Sequence, residues 1–163
     1  MHDALNQYEE KNFKEVPADQ DPFNEKQEPI LLGQAFYLLE GLAYLLDDPR
    51  DVPIVSPSNE IVGKVHINIV PCTEDGSEDI PEEELPEDPS ELCNRPIDFK
   101  VKITHLSNLP ENFGRNIFCE YKFYLDDQKY LTSIQPGNGE SVEFDYQHHH
   151  HYEIVTNQTL KYL

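Results

Sequence analysis

The chain predicts a fold that is mainly β with α, an antiparallel β-sandwich with one amphipathic helix docked on it. Three observations lead there. From Ile97 onward, apolar and polar side chains alternate in short runs, the period-two mark of half-buried strands. Polar turns such as Ser56-Pro57-Ser58-Asn59-Glu60 and Pro136-Gly137-Asn138-Gly139 separate the runs. One long apolar stretch, residues 30–46 (ILLGQAFYLLEGLAYLL), stands apart in an acidic chain, and a sheet face is what it would cover.

The apolar stretch fits a helical period. Leu31, Ala35, Leu38, Leu42 and Leu45 make one row, with Leu32, Phe36, Leu39, Ala43 and Leu46 beside it. Tyr37, Glu40 and Tyr44 fall on the remaining edge, with Gly33, Gln34, Gly41 and Asp47. Pro29 suits the start of such a helix and Pro49 lies past its end. Spanning a membrane takes about 20 apolar residues. This run is shorter, holds a Glu, and sits among acids that anionic lipid would repel, so a membrane is not the expected partner.

Before the helix, residues 1–28 read as a short polar helix and a connector. Residues 29–72 hold the apolar helix and a hairpin, in which Pro53-Ile54-Val55 and residues 61–70 flank a polar turn. Val65, Ile67 and Ile69 point to the buried side of its second strand; Lys64, His66 and Asn68 point to the wet side. Residues 73–96 are an acidic linker. Its stretch 73–91 contains ten acids, three prolines and no Lys or Arg, so little burial offsets its ordering entropy. It reads either as a solvated loop or as an electrostatic tether to a basic partner.

Residues 97–163 make the sandwich portion. Phe99, Val101 and Ile103 alternate with Lys100 and Lys102; Ile117, Cys119, Tyr121, Phe123 and Leu125 alternate with Phe118, Glu120, Lys122 and Tyr124. Asp126-Asp127-Gln128 turns the chain into residues 130–134, and Val142, Phe144 and Tyr146 continue the pattern. Thr156 or Asn157 caps a terminal turn carrying Leu160, Tyr162 and Leu163.

Formal net charge is -20 and apolar content 37%, so the chain lacks the basic stripe that phosphate backbones require, and nucleic acid is excluded as a partner. The acid excess favours a basic protein surface, or solubility alone. Cys72, Cys93 and Cys119 are odd in number and form no CxxC pair, which fits reduced cytosolic thiols. The N-terminal MHDALNQYEEKNF has no apolar core of a secretory signal.

His148, His149, His150 and His151 invite a metal reading. On a strand, only His148 with His150, or His149 with His151, could share an ion. No Cys or acid has zinc-site spacing with them, so adventitious nickel or zinc is the most they would hold, and His66 and His105 read as equally bland. Phosphate loops, nucleophile elbows, zinc-protease helices and dinucleotide fingerprints are all missing. No catalytic residue, cofactor or built metal site is expected, and elimination leaves a binding or regulatory module rather than an enzyme.

Asp21-Pro22-Phe23, LLGQAFYLLEGLAYLLDD, IVGKVHINIVPCTEDG and EDPSELCNRPIDFKVKI together resemble the stalk of kinesin-3 motors, which follows the motor and forkhead-associated domains. FCEYKFYLDD, FDYQHHHHYEI and TLKYL resemble its later strands and short helix, so the resemblance runs from about residue 20 to the end. It implies a C2-like sandwich whose remaining strands either follow residue 163 or are supplied by another chain. It also implies a regulatory, cargo-binding stalk module that folds back on its own motor domain, or binds a scaffold or cargo adaptor such as a MAGUK guanylate-kinase-like domain. A cytoskeletal location follows, in a cilium or neuronal process for divergent members. The partner contacts expected are Tyr37, Glu40 and Tyr44, with Glu82, Glu83 and Glu84; the two tyrosines suit core positions equally. The alternative is a C2-type lipid- or protein-binding domain. Calcium is not expected there, because Leu109-Pro110-Glu111-Asn112-Phe113-Gly114-Arg115-Asn116 lacks Asp ligands.

Overall fold

The computed structural model describes residues 28–112, 116–123, 126–137 and 141–163. The expected N-terminal helix, Asp21-Pro22-Phe23 and Arg115 lie outside the described residues. From Leu31 onward the chain forms one unit, Leu31–Leu163. A short helix α1 (Glu40–Ala43) leads into strands β1 (Asp48–Val55) and β2 (Ile61–Cys72). Two 3-10 turns (Glu82–Glu84 and Pro89–Leu92) precede β3 (Ile97–Ser107), β4 (Glu120–Tyr121), β5 (Tyr130–Leu131), β6 (Val142–Tyr152) and helix α2 (Asn157–Tyr162).

The main sheet is antiparallel throughout, in the order β1-β2-β3-β6. A smaller pair, β4 with β5, is lengthened by a bridge between Ile117 and Gln135. The core forms where the apolar face of the main sheet meets this second layer. Val52, Ile54, Val65, Ile69, Phe99, Val101, Ile103, Val142 and Phe144 are buried from the sheet, with Ile117 and Phe123 from the opposing segment. The Phe123 ring lies 4.7 Å from that of Phe99. The expectation of a mainly β, antiparallel, sandwich-like domain therefore holds. Its source is the two-residue period, which commits one side of β2 and β3 to the core.

β1 begins at Asp48, earlier than the expected Pro53. It carries Pro49 and Pro53, which a strand at the sheet's edge tolerates because they withhold no ladder donor needed on both sides. At the other end of the chain Thr156 caps α2, exchanging hydrogen bonds with Thr159 in a capping box, as the sequence anticipates.

The expected amphipathic helix over residues 30–46 is corrected. Only Glu40–Ala43 is helical. Residues 31–39 are non-helical, and from Gln34 onward they alternate. Ala35, Tyr37 and Leu39 pack on the core, while Gln34, Phe36 and Leu38 face outward. Gln34 and Val55 exchange reciprocal backbone hydrogen bonds of 2.8 Å, tying the segment to the end of β1. An unbroken apolar run has no polar residues to mark its period, so helix and strand are equally compatible with it. Gly33 and Gly41 then each weaken the helix by about 1 kcal/mol relative to Ala. Just past the short helix Leu45 takes the left-handed region at φ 52, and the Leu46 amide donates to the Gly41 carbonyl at 2.9 Å.

Gly33 makes this docking possible. A Cβ there would sit 2.6 Å from Ile54 Cγ2 and 2.8 Å from the Val55 carbonyl oxygen. Gly33→Ala is therefore expected to lower stability by about 1–3 kcal/mol, the range for overpacking a close contact. Urea denaturation of the two chains checks it, and an unchanged midpoint would mean that the segment does not press on β1.

Residues 73–91 are more than a solvated connector. Glu78 pairs with Lys100 at 3.2 Å and Lys102 at 2.7 Å, folding the acidic segment onto the chain's own basic side chains of β3. Asp88 caps the second 3-10 turn, and Leu92 at the turn's end is only 2% exposed. The remaining acids, including Glu82, Glu83 and Glu84, stay in solvent.

Candidate functional site

The expected contact residues separate once the helix is replaced by an alternating segment. Tyr37 turns inward. Its hydroxyl donates to the Asp48 carbonyl, and the Arg50 guanidinium lies over its ring at 5.8 Å. Burial, reinforced by the Asp48 carboxylate, pushes its pKa up to about 12. It anchors the segment to β1 rather than presenting a free hydroxyl. Glu40 is exposed at the start of α1, and Tyr44 is exposed at its end. Tyr37 and Glu40 share a shallow groove of about 290 Å³ with Leu38, Leu39, Tyr162 and Leu163; Tyr44 is not in its lining. Glu82, Glu83 and Glu84 form their own exposed 3-10 turn and take no part in that groove.

Sequence reasoning missed Phe36 and Leu38. They are 75% and 65% exposed, large apolar side chains on the outer side of the segment next to Glu40. The helical period had sent both inward and Tyr37 outward. A period-two reading from Gln34 to Glu40 gives the observed pattern, and the available signal was the pair of polar residues, Gln34 and Glu40, an even number of positions apart.

The histidine run divides as strand geometry requires. His150 faces the core, 4% exposed, stacked on Phe99 at 5.1 Å and bonded to the Tyr121 hydroxyl at 2.9 Å. Burial, with His148 beside it, pulls its pKa down to about 4. His149 and His151 face the other way and share Asp98 Oδ1, at 2.7 and 3.0 Å. That bond raises the pKa of His151. The acidic partner of these two histidines, Asp98, comes from the neighbouring strand β3, where spacing along the chain gives no hint of it. A second cluster lies on this same side of the sheet. His66 Nδ1 is 2.7 Å from Asp51 Oδ1, and its ring stacks on His105 at 5.0 Å.

No protein-family model matches the chain. Kinesin-like protein KIF28 of Rattus norvegicus is 29% identical over 152 residues, 88% of this chain. Kinesin-like protein KIF13A of Homo sapiens is 31% identical over 131 residues, and KIF13B of Homo sapiens 28% over 126, each covering 71% of this chain. The relationship is to kinesin-like proteins. The chain spans 15% of the length of the rat relative and 6–7% of the two human ones. The kinesin-like similarity therefore covers most of this chain while leaving most of each relative outside it. Among the described residues no helix is long and apolar enough to cross a membrane.

Proposed function

We propose that this chain is a non-catalytic regulatory module of a kinesin-3 type microtubule motor, a stalk segment that docks on the motor domain and holds it inactive until a cargo or scaffold protein displaces it. The observation that carries the reading is the similarity to kinesin-like proteins over as much as 88% of this chain, against at most 15% of theirs. A folded β unit confined to so small a fraction of a motor is suited to an accessory role. The outward edge of residues 31–40, with Phe36, Leu38 and Glu40, supplies apolar area and one charge for docking. The acid excess would strengthen attraction to a basic motor surface. A partner releases the motor only if it binds the undocked state better, so motor and cargo compete for one equilibrium.

The test adds the full chain to the motor domain of a kinesin-like relative and follows microtubule-stimulated ATP hydrolysis. The expected result is saturable inhibition that weakens with salt and is relieved by the double change Phe36→Ser and Leu38→Ser. Absence of both binding and inhibition would overturn the autoinhibitory role.

A further inference from the structure

We propose that Asp51, His66 and His105 form a binding site for a divalent first-row transition metal, with zinc as the expected ion, on the side of the main sheet opposite its core. One ligand atom from each residue lies within 4.8 Å of the other two. The three come from three consecutive strands. Asp51 of β1 is the register partner of His66 of β2, and His66 is the register partner of His105 of β3. Cross-strand neighbours of this kind stand about 4.5–5.5 Å apart at Cβ, so the sheet itself holds the donors in a row.

The backbone is specialised at this row. The pairing of β2 with β3 shifts between His66 and Ile67, and that of β3 with β6 shifts between Ile103 and His105. Such bulges re-aim side chains, and here they bring the two imidazoles onto one side, ring planes 6° apart at 5.0 Å. On its far side His105 is paired in register with Glu143 of β6, an exposed carboxylate at the end of the row.

The donor chemistry selects the ion. Two imidazole nitrogens and one carboxylate oxygen suit zinc, copper or nickel, and are poorly matched to calcium or magnesium, which take all-oxygen sets. Three protein ligands leave a fourth tetrahedral position for water. Zinc–nitrogen bonds of about 2.0–2.1 Å require ligand atoms closer together than 4.8 Å, so binding draws one side chain inward. Asp51 Oδ1 already lies 2.7 Å from His66 Nδ1, so the ring that turns inward is that of His105, now stacked on His66. The Asp98, His149 and His151 group on the same side is the natural internal control: it has the same donor types, but among the described residues only Asp51, His66 and His105 bring all their ligand atoms within 4.8 Å of one another.

The experiment is zinc competition against a chromophoric chelator, on the full chain and three variants checked for folding by circular dichroism. The full chain is expected to take up one zinc. His105→Asn and Asp51→Asn should each weaken it more than about tenfold, since loss of a group that merely hydrogen-bonds a ligand already costs about 10–100-fold. The double change His149→Asn and His151→Asn should leave it unaltered. NMR of the unmodified chain gives a reading free of any folding defect, with zinc shifting the ring signals of both His66 and His105. The proposal is overturned if the chain fails to compete with the chelator. It is equally overturned if affinity survives in His105→Asn but falls in the His149 and His151 variant, or if the His66 and His105 signals stay fixed while zinc binds.

Discussion

Phe99→Ala is expected to lower the free energy of unfolding by about 3–5 kcal/mol, the range for truncating a fully buried phenylalanine. Phe99 has 0% exposure, near the start of β3. It is the side chain on which the two layers meet. Its ring lies 4.7 Å from Phe123 of the opposing segment, 5.1 Å from His150 and 6.2 Å from Tyr152. Truncation removes apolar burial and leaves a cavity among the surrounding rings. It also leaves buried His150 without the ring it stacks on. Since domains of this size are stable by only about 5–15 kcal/mol, a loss of this size brings the variant close to unfolding at ambient temperature. Guanidinium or urea denaturation checks it. Phe36→Ala is the control, because at 75% exposure its removal should move the midpoint by no more than about 0.5 kcal/mol. Equal, small effects from the two changes would mean that the layers do not pack as described.

The contrast between these two phenylalanines marks where sequence reading works. Phe99 lies between Asp98 and Lys100, so charges on both sides fix its direction and a one-residue slip would turn both toward the apolar core. The same holds for Val65 and Ile69, which flank the polar His66 and Asn68. Phe36 has Ala35 and Tyr37 as neighbours, and nothing local says which side is wet. Tertiary pairing of Gln34 with Val55 decides the matter, and it depends on contact between residues far apart in sequence. The candidate site shared that weakness. A helical period puts Tyr37, Glu40 and Tyr44 on one edge, but Tyr37 turns inward while Glu40 and Tyr44 stay exposed. The Asp98 and Asp51 contacts to histidine were invisible for a related reason. Strand register, which no spacing rule encodes, puts them together.

His150 gives the domain an acid-sensitive core. Its pKa in the folded chain is about 4, against an ordinary 6.5, because burial against Phe99, Phe123 and the Tyr121 hydroxyl disfavours the imidazolium. Asp126 opposes that shift without overcoming it, while His148 and His149 add to it. Between pH 6.5 and 4 the unfolded chain takes up a proton at this residue and the folded chain does not, so stability rises with pH across that window and levels off above it. A shift of this size is worth roughly 2 kcal/mol between pH 7 and pH 5. His151 runs the other way. Its pKa is raised by Asp98, so its contribution is present at low pH and fades as pH rises, but it is exposed and solvent screens it. Glu78 and Asp88, whose carboxyls are held low by Lys102 and Ser90, lose their stabilisation only as pH falls through the carboxylate range, below the window of interest. Denaturation at pH 7, 6 and 5 therefore isolates the histidine. His150→Phe keeps a ring on Phe99 but cannot titrate, and its stability should vary little over those three values. If the unmodified chain is equally insensitive, His150 is not buried as a neutral ring. The edge strand β6 then does not close over the core in the way its alternating histidines require.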